Sequence, residues 1–230
     1  MVPLAIMSGQ PSGKTEDAWR SEPAGEARAA RWRPYDALKR VLDVLVSGAG
    51  LLAAIPLTIA VIAAIYLDDG PPAFYAQERV GEGGRRFRVL KFRSMVRDAE
   101  ARTGAVLAAK DDPRITRMGR LLRKTAMDEL PQLANIFLGH MSFVGPRPER
   151  PELIAEIAER LPKFRLREQI RPGLTGLAQV YGRYYSGPEQ KLPYDLAYIE
   201  RRCLWLDMHL FLRSWRITSK ASWDSDEAKR

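Results

Sequence analysis

The chain has 230 residues, enough for one substantial domain with appendages and too few for two independent cores. Its 37 Lys+Arg against 28 Asp+Glu give a formal charge of +9 and a pI near 9.8, which suits an anionic partner: nucleic acid, phospholipid headgroups or a phosphorylated substrate. A single cysteine, Cys203, and two histidines, His140 and His209, exclude an intrachain disulfide, a Cys-rich zinc site and a His-rich metal cage.

Residues 1–33 mix Gly, Ser, Pro, Ala and charge without a sustained period and read as a mobile tail. Met1 to Ile6 lacks the basic start and long apolar core of a signal peptide. Gly9-Gln10-Pro11-Ser12-Gly13-Lys14-Thr15 imitates a phosphate-binding P-loop, but with three residues between its glycines where the motif needs four.

Residues 34–70 form the next unit. Val44 to Leu67 carries no charge over about 24 residues, which as a straight helix would measure about 36 Å and could cross a bilayer core of about 30 Å. Pro56 interrupts the run: it lacks the N–H for one helical hydrogen bond and favours a kink, leaving two halves each too short to span. Positive charge also flanks both ends, with Arg33, Lys39 and Arg40 before and Arg79, Arg85, Arg86 and Arg88 after. A spanning helix would put one cluster on the outer side, against the bias that keeps Lys and Arg cytoplasmic. These features favour a re-entrant helix over a straight crossing. Ser47 and Thr58 are candidates to satisfy carbonyls freed by the kink.

Residues 71–220 hold the rest of the fold, followed by a tail over 221–230. Phe74 to Val80 and Arg86 to Phe92 read as two strands of a small hairpin joined through Gly81, Gly83 and Gly84. Arg114 to Met127 is basic and helical in pattern, and Glu152 to Leu161 forms an amphipathic helix behind Pro148 and Pro151. RPGLTGLAQVYGRYYSG is too rich in glycine for a regular element and reads as a structured loop. Tyr194 to Lys220 is helical again, with Trp205, Phe211 and Trp215 among arginines, as on an interfacial amphipathic helix or a core helix with a basic edge. The fold class expected is α+β, mainly helical and membrane-associated.

Cys203 reads as a small buried apolar residue, and no local motif supports a Ser-His or Cys-His nucleophile. Carboxylates and arginines remain. Asp128 and Glu129 are adjacent, so on one helix they would diverge by about 100° and could not face each other as a dyad. The spacing of Leu130, Leu133, Ala134 and Phe137, with Pro131 in a first turn, predicts that the pair opens a helix. Ordinary capping explains such a pair; so does an ionised Asp acting as nucleophile or metal ligand, with Arg123 and Lys124 nearby to grip phosphate. Arg147, fixed between Pro146 and Pro148, is pre-organised for a phosphate in the same way.

Five blocks together go beyond such generic readings. KRVLDVLVSGAGLLAAIP, QERVGEGGRRFRVLKFRSM, DPRITRMGRLLRKTAMDELPQLANIFLGHMSFVGPRPE, RPGLTGLAQVYGR and YDLAYIERRCLWLD resemble, in order, the bacterial sugar transferase family of monotopic phosphoglycosyl transferases. The resemblance runs from about Lys39 to Arg216. It implies transfer of a sugar-1-phosphate from a UDP-sugar to a polyprenyl phosphate such as undecaprenyl phosphate, with Mg²⁺, at the cytoplasmic face of the bacterial inner membrane. By the same resemblance Asp128 is the nucleophile and a Mg²⁺ ligand, UMP leaves, and Glu129 assists the acceptor or positions the metal. Lys91, Arg123, Arg147, Arg183 and Asp195 would line the site, Arg147 and Arg183 binding phosphate. Lys39 and Arg40 would meet lipid headgroups, and Pro56 would break the re-entrant helix. One departure stands out: Tyr181 replaces the Asn of the family's usual Val-Asn-Gly-Arg. No multispan module precedes these blocks, which implies the compact form, and the oligomeric state stays open between monomer and homodimer.

Two readings from other classes compete. A membrane-tethered nucleic-acid-binding protein would fit the charge but gives Asp128 no purpose and predicts steep salt dependence. A non-catalytic scaffold of a glycan assembly complex would be marked by loss of the Asp-Glu pair or of Arg147, and both are present.

Overall fold

A computed structural model describes residues 33–99, 112–182 and 187–219. The chain is mainly helical, with two sheets of two strands each among the described residues. Helix α1 (Pro34–Ala53) and helix α2 (Ile55–Asp69) meet at Ala54 with a bend of 58°. Pro56 falls in the first turn of α2, where its missing N–H costs nothing, so the sequence that breaks one helix starts the next. No single described helix is long and apolar enough to cross a membrane; the bent pair passes that test only together, as a broken span or a re-entrant loop would.

The polarity of α1 is inverted relative to a helix of a water-soluble core. Its buried residues are Asp43 and Ser47, while Leu38, Val41, Leu45, Val46 and Leu52 face outward. Ser47 donates to the carbonyls of Asp43 and Val44 in its own helix, so it does not serve the carbonyls at the kink. Thr58 receives no such role either among the described contacts; its backbone N–H donates to Ala54 O at 2.8 Å and carries the helix on past the bend.

Strands β1 (Phe74–Val80) and β2 (Arg86–Phe92) form the expected hairpin, antiparallel from Phe74 opposite Phe92 to Val80 opposite Arg86. Helix α3 (Arg117–Lys124) is capped by Thr116, whose hydroxyl accepts from Gly119 N–H at 2.9 Å. A 3₁₀ turn, Met127–Glu129, leads into helix α4 (Gln132–Leu138), which ends at Gly139 in the left-handed conformation. Helix α1 lies against α4, and Gly48 and Gly50 permit the approach: a Cβ there would meet Phe137 at 3.2 Å and Leu133 at 3.1 Å.

Strand β3 (Ser142–Val144) pairs in parallel with β4 (Gly173–Thr175) inside the stretch expected to be irregular loop, and helix α6 (Leu177–Tyr181) follows there too. Gly145 and Gly173 make this possible, because a Cβ on Gly173 would sit 2.1 Å from Gly145 N. Helix α5 (Pro151–Arg160) matches its expected place. The expected single helix from Tyr194 is two helices, α7 (Pro188–Arg201) and α8 (Leu204–Ser219). Arg202 turns the chain between them, its guanidinium donating to Ile199 O and to both oxygens of Asp36 on α1. Cys203, expected to be buried, is exposed at this corner. The largest buried cluster joins Val144, Val180, Tyr198 and Leu210 from β3, α6, α7 and α8; a second joins Val61, Ile65, Phe92 and Leu122 under the Asp-Glu turn.

Candidate functional site

Asp128 and Glu129 do not open an α-helix as expected. They occupy the 3₁₀ turn, and Pro131 stands at the N-cap of the seven-residue α4. The turn is entered through Ala126, which adopts φ 54°, ψ 18°, a left-handed conformation that costs a non-glycine residue about 1–2 kcal/mol. Packing holds it there. Met127 and Leu130 lie against the cluster of Val61, Phe92 and Leu122, anchoring both ends of the acidic pair.

The two carboxylates have different surroundings. Glu129 Oε1 accepts from Lys91 Nζ at 2.7 Å and from Arg147 Nη2 at 2.8 Å. Burial alone would raise the Glu129 carboxyl; the charges and hydrogen bonds of Arg147 and Lys91 outweigh it and hold the group far below the usual range. Glu129 in turn keeps Arg147 firmly protonated. Among the described residues none donates a hydrogen bond to Asp128. Burial raises its carboxyl, and Glu129 adds to the rise, while Lys91, Arg123 and Arg147 oppose it. One carboxylate is thus committed to fixing two cations, and its neighbour stands beside those cations uncommitted.

Each partner is held by its own element. Lys91 projects from β2, and next to it Asn135 of α4 clasps the strand: its Oδ1 accepts from Leu90 N–H at 2.9 Å and its Nδ2 donates to Arg88 O at 2.7 Å. Arg147 is posed through its backbone. Arg167 Nη2 donates to Arg147 O at 2.9 Å, and Arg79 Nη1 donates to Pro148 O at 3.2 Å. Arg167 is itself gripped by Asp195, with Nε and Nη2 at 3.0 and 2.8 Å from Oδ2. Glu149 lies between the two arginines, 3.6 Å from Arg79 and 4.0 Å from Arg167. The side chain of Arg147 is left 44% exposed, free to meet a ligand on its outer side.

A paired Lys and Arg around one carboxylate, with a second carboxylate open, is a set of groups suited to phosphate chemistry. The family model described as "Bacterial sugar transferase" matches residues 34–221, most of the chain and all of this site. The chain belongs to the bacterial sugar transferase family. Among other members, a UDP-N-acetylgalactosamine-undecaprenyl-phosphate N-acetylgalactosaminephosphotransferase of Aeromonas hydrophila is 37% identical over 185 residues, 79% of this chain and 44% of that protein. A UDP-glucose:undecaprenyl-phosphate glucose-1-phosphate transferase of Caulobacter vibrioides is 42% identical over 187 residues, 78% of this chain and 68% of that protein. The exopolysaccharide production protein PSS of Rhizobium leguminosarum bv. phaseoli is 39% identical over 183 residues, 75% of this chain and 90% of that protein. This chain therefore spans less than half the length of the Aeromonas sugar transferase.

Within this chain, Asp128, Glu129, Lys91 and Arg147 come together as the resemblance implied, and Arg123 lies close enough for its charge to act on Asp128. Asp195 does not line the site. It is 1% exposed and acts on Arg147 only through Arg167. Arg183 lies outside the described residues, as does the P-loop imitation in the tail. Lys39 and Arg40, expected to meet lipid headgroups, both have partners within the protein: Lys39 pairs with Asp207, and Arg40 donates to Ile136 O and Phe137 O at the end of α4. Tyr181 sits in the core with its hydroxyl 2.8 Å from His209 Nε2 and Arg213 over its ring. Sequence reasoning missed Arg79, Asn135 and Arg167. The first and last were two arginines among many, and Asn135 lies off the stripe of Leu130, Leu133, Ala134 and Phe137, on the face it shares with buried Gln132 and Ile136, so its spacing gave no signal.

Proposed function

We propose that this chain transfers a sugar-1-phosphate from a UDP-sugar to a polyprenyl phosphate such as undecaprenyl phosphate, releasing UMP, in the first membrane step of polysaccharide or glycoconjugate assembly. The observation that carries the reading is the division of labour between Glu129, bound to Lys91 and Arg147, and Asp128, which no described side chain holds. An Asp128 oxygen attacks the sugar-bearing phosphorus, and the bond from that phosphorus to the UMP oxygen breaks. The polyprenyl phosphate oxygen then attacks the same phosphorus and releases Asp128. Lys91, Arg123 and Arg147 balance the charge gathered around the phosphorus. Sugar transferases of the family named above for undecaprenyl-phosphate substrates support this substrate class.

Magnesium belongs to this proposal. Among the described residues no three His, Cys, Asp or Glu side chains cluster as a protein cage. Mg²⁺ needs none: one or two carboxylates with substrate phosphates and water suffice, and Asp128 is the carboxylate still open. When bound it would neutralise diphosphate charge. The bent α1–α2 pair, with its outward apolar surface, supports a re-entrant membrane segment and a site at the cytoplasmic face of the inner membrane.

The test is UMP release from UDP-sugars by purified protein. Asp128→Asn is expected to fold and to release no UMP, even without lipid acceptor; normal turnover by that variant would overturn covalent transfer. Excess EDTA is expected to stop the reaction, and undiminished activity would remove magnesium from the proposal.

A further inference from the structure

Strand β2 has one sheet neighbour, β1, so the backbone groups along its other edge need partners from elsewhere. Asn135 supplies them. Its carboxamide accepts from Leu90 N–H and donates to Arg88 O, the pair of bonds that a neighbouring strand would make. The residue is 2% exposed and lies on α4, six positions beyond Glu129, the last residue of the acidic turn. Leu90, which it clasps, is covalently next to Lys91, whose ammonium sits on Glu129.

Resting on the transferase reading above, we propose that Asn135 is a positioning residue for the reaction: by acting as a one-residue strand it locks the Lys91 end of β2 to the helix that directly follows the acidic turn. The clasp fixes the separation of Lys91 from Glu129, and so from Asp128. Few side chains can replace it. Asp keeps the shape but loses the donor toward Arg88 O, Gln reaches one methylene further, and Leu offers neither group. The long loop of sequence between Arg88 and Asn135 gives the two elements no local reason to keep this spacing.

The experiment compares Asn135→Leu, Asn135→Asp, Lys91→Met and the double variant Asn135→Leu/Lys91→Met. It uses full-length protein and UDP-glucose or UDP-N-acetylgalactosamine, whichever the wild type turns over. Asn135→Leu is expected to lower kcat by about ten- to a hundredfold with KM for the nucleotide sugar little changed. The double variant is expected to be no slower than Lys91→Met alone, because Asn135 acts through Lys91. Multiplying losses would overturn the proposal, as would full kcat in folded Asn135→Leu. Should Asn135→Leu fail to fold, the same cycle is run with Asn135→Asp. Should the wild type release no UMP from any UDP-sugar, the transferase reading falls. The cycle read in chemical unfolding then decides: coupling between positions 135 and 91 supports the clasp, and additivity overturns it.

Discussion

At the scale of single residues, the site rests on the unequal treatment of two adjacent carboxylates. Glu129→Gln leaves Lys91 and Arg147 without their shared anion and is expected to destabilise the fold by about 1–3 kcal/mol in chemical denaturation. The sign of its pH dependence follows from the depressed Glu129 carboxyl. Its stabilising contribution is fully present above the ordinary value of 4.5 and is lost as pH falls below it toward the lower folded value. Thermal melts from pH 7 to pH 3 should therefore fall more steeply for the wild type than for Glu129→Gln. Ala126 makes a second residue-scale prediction. Glycine tolerates φ 54° without penalty, so Ala126→Gly should raise stability by about 1 kcal/mol, and Ala126→Val should lower it, in the same denaturation assay. The pair was legible in the sequence as an oddity among cations. The resemblance put Lys91 and Arg147 beside it, but not that both bind Glu129 and leave Asp128 open: they lie 38 and 18 positions from Glu129, and only the folded chain shows which carboxylate they hold.

At the scale of elements, boundaries were legible wherever a residue of special backbone chemistry marks them. Pro56 announced the break between α1 and α2, and the glycines after Val80 announced the hairpin. The break between α7 and α8 has no such mark. It forms at Arg202 and Cys203 because Asp36 captures the Arg202 guanidinium, a contact across 166 positions. Strands β3 and β4 escaped for a similar reason: three residues each, paired in parallel, show no period of their own. The tight seat of α1 on α4 yields a prediction here. Gly50→Leu would press a branched side chain into Leu133, and is expected to cost about 1–3 kcal/mol in unfolding free energy and to lower turnover by displacing α4. Pro56→Leu probes the other end of the same unit. With an N–H at position 56 the backbone can continue as one helix through Ala54, so α1–α2 should straighten, and in a Cys203→Ser background a cysteine placed at Asp69 should then be labelled from the opposite face of the membrane to the same cysteine beside Pro56.

At the scale of the whole molecule, the exposed apolar residues of α1 and α2 belong to the same outer surface character as Trp205, Phe211, Leu212 and Trp215 of α8. Large exposed aromatic and aliphatic groups of this kind fit the membrane association that the proposed function calls for. Basic charge alone would give attachment that salt abolishes, since screening shortens its range to about 3 Å at 1 M salt. The protein is therefore expected to stay with the membrane pellet after a 1 M salt wash and to be released by detergent, as followed by fractionation and immunoblot. Release by salt alone would mean that the +9 charge, not the apolar surface, holds it there.

The corner between α7 and α8 carries the chain's sole thiol, and Cys203 is exposed there. A chemist therefore receives this molecule with one built-in address, needing no removal of competing thiols and no engineered site. A fluorophore placed on it reports from the residue just before the tryptophan-bearing helix, and quenching by lipids labelled at successive depths would measure where that corner stands relative to a bilayer, with no quenching at any depth placing it outside.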